Sequence, residues 1–124
     1  ASEVRKEIQS ITSQFASVVR TEEGLKEGLK VLQNLRRDGI GLDENGLIFA
    51  LETENLIDVA EMVLRASVFR KESRGPHLFF KHFEDTHPLE SRNPEWRRYI
   101  IIKNQSGKMT LKERIPIPLY PPPL

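Results

Sequence analysis

The chain has 124 residues, with nineteen lysines and arginines against eighteen acidic residues and no cysteine. That length suits one domain with a real core. The missing cysteine excludes, within these residues, a disulfide framework, thiolate metal sites, iron–sulfur ligation and a cysteine nucleophile. A net charge of +1 with the two signs interleaved along the chain describes solvated helix faces, not the one-sided basic field of a nucleic-acid footprint.

From Ser2 to Phe15 the apolar residues Val4, Ile8, Ile11 and Phe15 step by four, three and four, the seam of an amphipathic helix. Ser2 is the expected N-cap, with Glu3 and Glu7 near the positive end of the helix. Val18-Val19-Arg20-Thr21 interrupts the pattern, and Thr21 can cap a second helix whose first turn holds Glu22 and Glu23. That helix carries Leu25, Leu29, Leu32 and Leu35 on one face and should end at Asp38-Gly39. Gly24 and Gly28 inside it cost helix propensity, about 1 kcal/mol each relative to alanine. Close approach of another backbone would offset that cost, and loose packing is the other reading.

A third helix should begin near Asp43 or Glu44 and run to about Ser73, where the register enters Glu72-Ser73-Arg74 and stops at Gly75-Pro76. Glycine closes a helix in the left-handed conformation and proline cannot continue one. Its apolar residues, among them Leu47, Ile48, Leu51, Val59, Met62 and Val63, form a stripe wider than two neighbouring helices need. Glu54 and Asn55 sit amid that stripe as polar contacts to a further partner, or else on a solvated face. Three helices with short connections make an antiparallel bundle.

After Gly75 the period is lost, and 77–93 reads as an ordered loop. Residues 97–103 and 108–114 alternate as two strands around the turn signal Asn104-Gln105-Ser106-Gly107, which predicts a hairpin. The end, 115–124, is proline-rich and should be extended or polyproline-like. The expected class is therefore mainly α: a three-helix antiparallel bundle over 1–75, then a loop, a β-hairpin and a proline-rich tail over 76–124, packed together as one domain. No apolar run approaches the roughly eighteen residues that span a bilayer, and the first residues lack the apolar stretch of a signal peptide. Neither nucleic-acid binding nor direct membrane contact is expected, and the placement expected is cytoplasmic.

Several strings carry a resemblance across nearly the whole chain. They are Val18-Val19-Arg20-Thr21, Leu32-Gln33-Asn34-Leu35-Arg36, Leu51-Glu52-Thr53-Glu54-Asn55-Leu56, Asn93-Pro94-Glu95-Trp96 and, most specific, Arg70-Lys71-Glu72-Ser73-Arg74-Gly75-Pro76-His77. Together they are similar to the C-terminal domain of the succinate dehydrogenase and fumarate reductase flavoproteins, with L-aspartate oxidase as a related parent. The chain departs from that pattern at Pro76 and in the longer, less basic loop from Leu78 to Asp85. The resemblance implies a spectrin-repeat-like helical domain of an FAD-dependent oxidoreductase, packed against the FAD-binding domain of the same polypeptide. It also implies an iron–sulfur subunit as a neighbour, through which the protein would reach the cytoplasmic face of a membrane. FAD belongs to the parent enzyme, and no cofactor is expected on this segment.

Arg74 and His77 are the tempting catalytic pair, since a guanidinium fork binds dicarboxylates and an imidazole moves protons. Both also suit a helix end, where cations meet the last carbonyls. The residues expected to serve domain docking are Arg20, Glu54, Asn55, Arg70, Glu72, Arg74 and His77, with no catalytic, cofactor or metal residue among them. His77, His82 and His87 recur every five residues and lack the i, i+4 geometry of a helical metal site. Gly39-Ile40-Gly41 lacks the preceding strand and third glycine of a dinucleotide loop, and Pro118-Leu119-Tyr120-Pro121 matches a short groove ligand by composition alone. The rival reading is a free-standing helical interaction module.

Overall fold

In the computed structural model, which describes residues 1–116, three helices form the body: α1 (Ser2–Phe15), α2 (Glu22–Asp38) and α3 (Gly46–Phe69). Between the first two lies β1 (Arg20–Thr21); after α3 come β2 (Phe79–Phe80), β3 (Tyr99–Gln105) and β4 (Lys108–Arg114). The expected bundle followed by a hairpin is the architecture found. The expected proline-rich extension lies, from residue 117 on, outside the described residues.

Contacts across the bundle define the direction of each rod. Gly28 of α2 meets Ile11 and Leu64, Gly24 meets Phe15, and Arg36 pairs with Asp58 and Glu61. Thus α2 runs against both neighbours, while Arg5 of α1 reaches Thr53 of α3. Ile8, Ile11, Leu25, Leu32, Ile57, Ala60, Leu64 and Phe79 form the core. The two glycines sit where the rods approach most closely: a Cβ on Gly28 would stand 3.1 Å from Ile11 and 3.2 Å from Leu64. The close approach is to side chains, not to backbone.

The helix ends correct three expectations. Ser2 is the first helical residue and caps nothing with its side chain. Its amide is instead satisfied from across the bundle, donating to Asp43 Oδ2 at 3.0 Å. Asp43 therefore does not open α3. Its other oxygen accepts from the Asn45 amide at 2.9 Å, and α3 begins at Gly46, whose φ of 88° suits glycine. These hydrogen bonds, the one from Ser2 foremost, hold the Asp43 carboxyl well below the usual range. Thr21 does cap α2, its hydroxyl accepting from the Gly24 amide at 3.0 Å.

The largest correction concerns the far end of α3. The helix stops at Phe69, not near Ser73, and Arg70 already has extended ψ. Gly75, at φ 55°, turns a tight loop with Pro76 that pairs the backbones of Arg74 and His77 at 2.8 and 3.0 Å. Leaving the helix early allows Glu72 and Ser73 to turn into the protein, where both are buried. The 77–93 loop is not without strands: β2 pairs in parallel with β1, Arg20 opposite Phe79 and Thr21 opposite Phe80. Two residues per strand are too short to show a period.

β3 and β4 pair antiparallel, Tyr99 opposite Arg114 and Gln105 opposite Lys108. Ser106 and Gly107, both at positive φ, make the two-residue turn whose twist matches the strands. The hairpin lies along the C-terminal half of α3, where Met62 and Arg65 share a groove with Ile102 and Met109. Gly28→Val should lower unfolding free energy by about 1–3 kcal/mol through overpacking between α1 and α3, measured by chemical denaturation. A stability equal to the parent's would show that the rods part easily at that point.

Candidate functional site

At the end of the bundle, five of the seven sequence-predicted residues come together: Arg20, Arg70, Glu72, Arg74 and His77. Glu72 is fully buried. Its Oε1 accepts from Arg74 Nε at 2.9 Å and lies 2.8 Å from Arg74 Nη2 and 3.6 Å from Arg70 Nη1. Burying a carboxylate costs several kcal/mol unless cations and hydrogen bonds meet it. The two arginines meet Oε1, while Oε2 is buried without a hydrogen-bond partner among the described residues; neither arginine spends its whole fork on Glu72.

Arg70 donates Nη1 to the Trp96 carbonyl at 3.0 Å and Nη2 to the Arg98 carbonyl, with its guanidinium 5.0 Å from the Trp96 ring. Trp96 in turn meets Phe69 edge to face at 5.8 Å. Arg74 donates to Asn93 Oδ1 at 2.6 Å. The buried carboxylate thus orients two arginines that hold the approach to the hairpin, residues 93–98, against the end of α3. Ser73 belongs to the same joint: its hydroxyl exchanges hydrogen bonds with the Phe79 amide and carbonyl at 3.0 and 3.3 Å.

His77 faces the other side of the junction. Arg20 Nη1 lies 3.2 Å from its Nδ1 and also donates to Ser67 Oγ at 3.2 Å. Burial pulls the Arg20 guanidinium below its usual range, but an arginine stays charged and only donates. His77 Nδ1 is therefore the acceptor, which leaves Nε2–H to donate to the Arg70 carbonyl at 2.9 Å. Burial, with the positive charges of Arg20 and Arg70, holds the imidazole below its ordinary value. The neutral ring bridges the helix break after α1 and the last turn of α3.

Glu54 and Asn55 are not part of this cluster. Both lie exposed on α3, away from the junction. Sequence reasoning also passed over Arg5, whose guanidinium donates to Thr53 Oγ1 and the Phe49 carbonyl and stands 3.6 Å over the Phe49 ring. The signal was present in the small residues Ala50, Thr53, Ala60 and Ser67 along the buried side of α3, a face that leaves room for a long cation. Among the described residues no three histidines or carboxylates gather as metal ligands. No helix among them is long and apolar enough to cross a membrane.

The family whose sequence model matches, over residues 5–119, is described as fumarate reductase flavoprotein C-term. This chain belongs to that family. It is 31% identical over 103 residues to an uncharacterized FAD-dependent oxidoreductase of Methanocaldococcus jannaschii, covering 81% of this chain and 18% of that protein. It is 30% identical over 118 residues to the succinate dehydrogenase flavoprotein subunit of Rickettsia conorii, covering 88% of this chain and 19% of that one. The fold is that of a quinol fumarate reductase FrdA chain from E. coli, with a TM-score of 0.80 over 99% of this chain and 22% of that chain, at 20% identity. The chain thus spans about a fifth of the length of the curated relatives it matches. It is the C-terminal domain of a succinate dehydrogenase/fumarate reductase-type flavoprotein.

Two outcomes follow from this geometry. Glu72→Ala should cost about 3 kcal/mol, the low end for breaking a buried ion pair because Arg74 is partly exposed; Glu72→Gln, which keeps an acceptor, should cost less. Denaturant titration of both variants measures this, and equal losses would show that the retained acceptor contributes nothing and that loss of the charge accounts for the whole effect. The second outcome concerns pH. His77 is held below its unfolded value of 6.5, so the unfolded chain binds the proton more readily, and stability rises with pH across that gap. The contribution is complete above about 6.5 and declines as pH falls through the lower folded value. Thermal midpoints between pH 7 and pH 5, compared between wild type and His77→Gln, should show a smaller decline in the variant.

Proposed function

We propose that this segment is the non-catalytic supporting domain of its parent flavoprotein. It braces the FAD-binding domain of the same polypeptide and leaves flavin and substrate chemistry to residues outside 1–124. The observation that carries this reading is the state of the candidate site. The cations that would clasp a dicarboxylate already serve Glu72, Asn93 and the carbonyls of residues 96 and 98. Both nitrogens of His77, the proton shuttle the motif suggests, are engaged.

The residues present do not fit FAD. A pyrophosphate needs backbone amides at a glycine-rich turn between a strand and a helix. Gly39-Ile40-Gly41 instead follows α2 and leads to α3. The groove between α3 and the hairpin, about 770 Å³, is lined by Arg36 and Arg65, paired with Asp58 and Glu61, and by Lys103 and Lys108 of the hairpin, and among the described residues no turn from a strand into a helix opens onto it. No step is therefore assigned to flavin within this domain.

For the parent, the reading is an FAD-dependent oxidoreductase of the succinate–fumarate type. It would lie in the cytoplasm, with an iron–sulfur subunit as electron partner and any membrane reached through partner subunits. Support comes from the names of the relatives and from the family to which the chain belongs. The test has two parts. Purified residues 1–124 should be colourless when mixed with FAD and gel-filtered, and should not oxidise succinate; a yellow, active fragment would overturn the supporting role. The full-length polypeptide should carry flavin and reduce fumarate with a viologen donor, and oxidation of L-aspartate in its place would assign the parent to that related enzyme. In that polypeptide Arg74→Ala should lower thermal stability and leave KM for the dicarboxylate within about threefold, because only removal of a substrate contact raises KM steeply.

A further inference from the structure

α3 is apolar on two opposite sides. At about 100° per residue, Ala50, Thr53, Ile57, Ala60, Leu64 and Ser67 share one face, and all are buried in the bundle. Ile48, Leu51, Asn55, Val59, Met62 and Ala66 share the other. The hairpin lies along the C-terminal half of that second face, so Met62 and Ala66 are half-buried. The N-terminal half is open: Ile48 is 74% exposed, Leu51 50% and Val59 49%. Leu47 and Leu42 at the same end are 60% and 68% exposed. Glu52, Glu54, Asp58, Glu61 and Arg65 occupy the flanks between the two faces, so the second apolar face is a bounded strip, and an exposed apolar patch rimmed by polar residues marks an interface.

The position of Ala1 indicates what covers it. Its nitrogen lies 3.1 Å from the Gly41 carbonyl and 3.3 Å from Asp43, in the α2–α3 connection that also carries Leu42. The first residue thus lies at the end of the bundle where Leu42, Leu47 and Ile48 are exposed. In the relatives matched, about four-fifths of the chain lies outside the matched region, and the family is named for its C-terminal place. Those relatives carry a large body beyond the matched region, and the uncovered apolar strip of this chain lies at the end of the bundle that holds Ala1.

We propose that the open face of α3, from Leu47 to Val59 with Leu42 beside it, is the seat of the FAD-binding body that precedes Ala1. This rests on the reading of the chain as a supporting domain of a larger flavoprotein. The body presents an apolar surface there, with one hydrogen-bonding group for Asn55, which sits on the midline of the strip between Leu51 and Val59. The cluster at the opposite end of α3 then fixes the hairpin and leaves docking to this face.

Single cysteines in the full-length polypeptide test the assignment, because residues 1–124 contain none of their own. Ile48→Cys and Leu51→Cys should react with maleimide at least about tenfold more slowly than Gln105→Cys at the hairpin turn, since a packed interface protects where an exposed turn does not. Labelling is read peptide by peptide by mass spectrometry. All three positions are exposed among the described residues, so the changes leave the bundle intact. Equal rates at the three positions overturn the proposal. If Tyr99→Cys on the hairpin is protected while 48 and 51 are not, the body docks elsewhere and the supporting role survives. Protection at 48 that is lost on dilution to monomer assigns the face to a second copy and also overturns the proposal. A full-length polypeptide that binds no flavin removes the underlying reading itself.

Discussion

Glu72 takes its carboxylate out of water and sets it against the guanidiniums of Arg70 and Arg74. A buried charge is tolerated only where such partners surround it, and here the partners lie two residues away on either side. In a continuous helix, residues two apart point to opposite sides and cannot share a target. The backbone must leave the helix at Phe69 for the three side chains to converge. The rest of the junction follows from that departure: the Gly75-Pro76 turn, the burial of Ser73 beneath Phe79 and the return of the chain beside β1.

The same convergence places the hairpin. Each arginine gives part of its fork to Glu72 and the remainder to segment 93–98, through the carbonyls of Trp96 and Arg98 and the side chain of Asn93. The planar, multidonor guanidinium suits this task because it can serve several acceptors in fixed directions. Arg20 and His77 extend the joint to the break after α1, so one local network fastens three separate parts of the chain. On the proposed reading, the arginine- and histidine-rich string is a joint within the domain, and its resemblance to a catalytic cluster comes from the same donor chemistry put to structural use.

At the other end the bundle is held by a second device of the same kind. Asp43 caps α1 from the α2–α3 connection, and Arg5 crosses to Thr53 and Phe49. Here the domain is finished on its inner side and open on its outer one. Membership of the flavoprotein family, with a chain one fifth the length of its relatives, gives that open apolar side its meaning under the proposed docking. On that reading the domain is held by polar networks at both ends and completed by the larger body on the open face of α3.

Much of this was legible without coordinates. The helices of α1 and α2, the Thr21 cap and the hairpin all follow from short-range rules of period, capping and turn geometry. Those rules act within a few residues, so the chain alone determined them, along with the excess of apolar surface on α3. The motif around Glu72 also singled out residues that the structure gathers at the end of α3. The tertiary structure alone decided where α3 ends, that Asp43 serves α1 and does not open α3, that Phe79 pairs with Arg20, and that Glu54 and Asn55 stand apart from the arginine cluster. The Asp43 contact and the pairing of Phe79 with Arg20 depend on partners forty or more residues away, and the pairing of one buried carboxylate with Arg70 and Arg74 outweighed the local preference for another turn of helix.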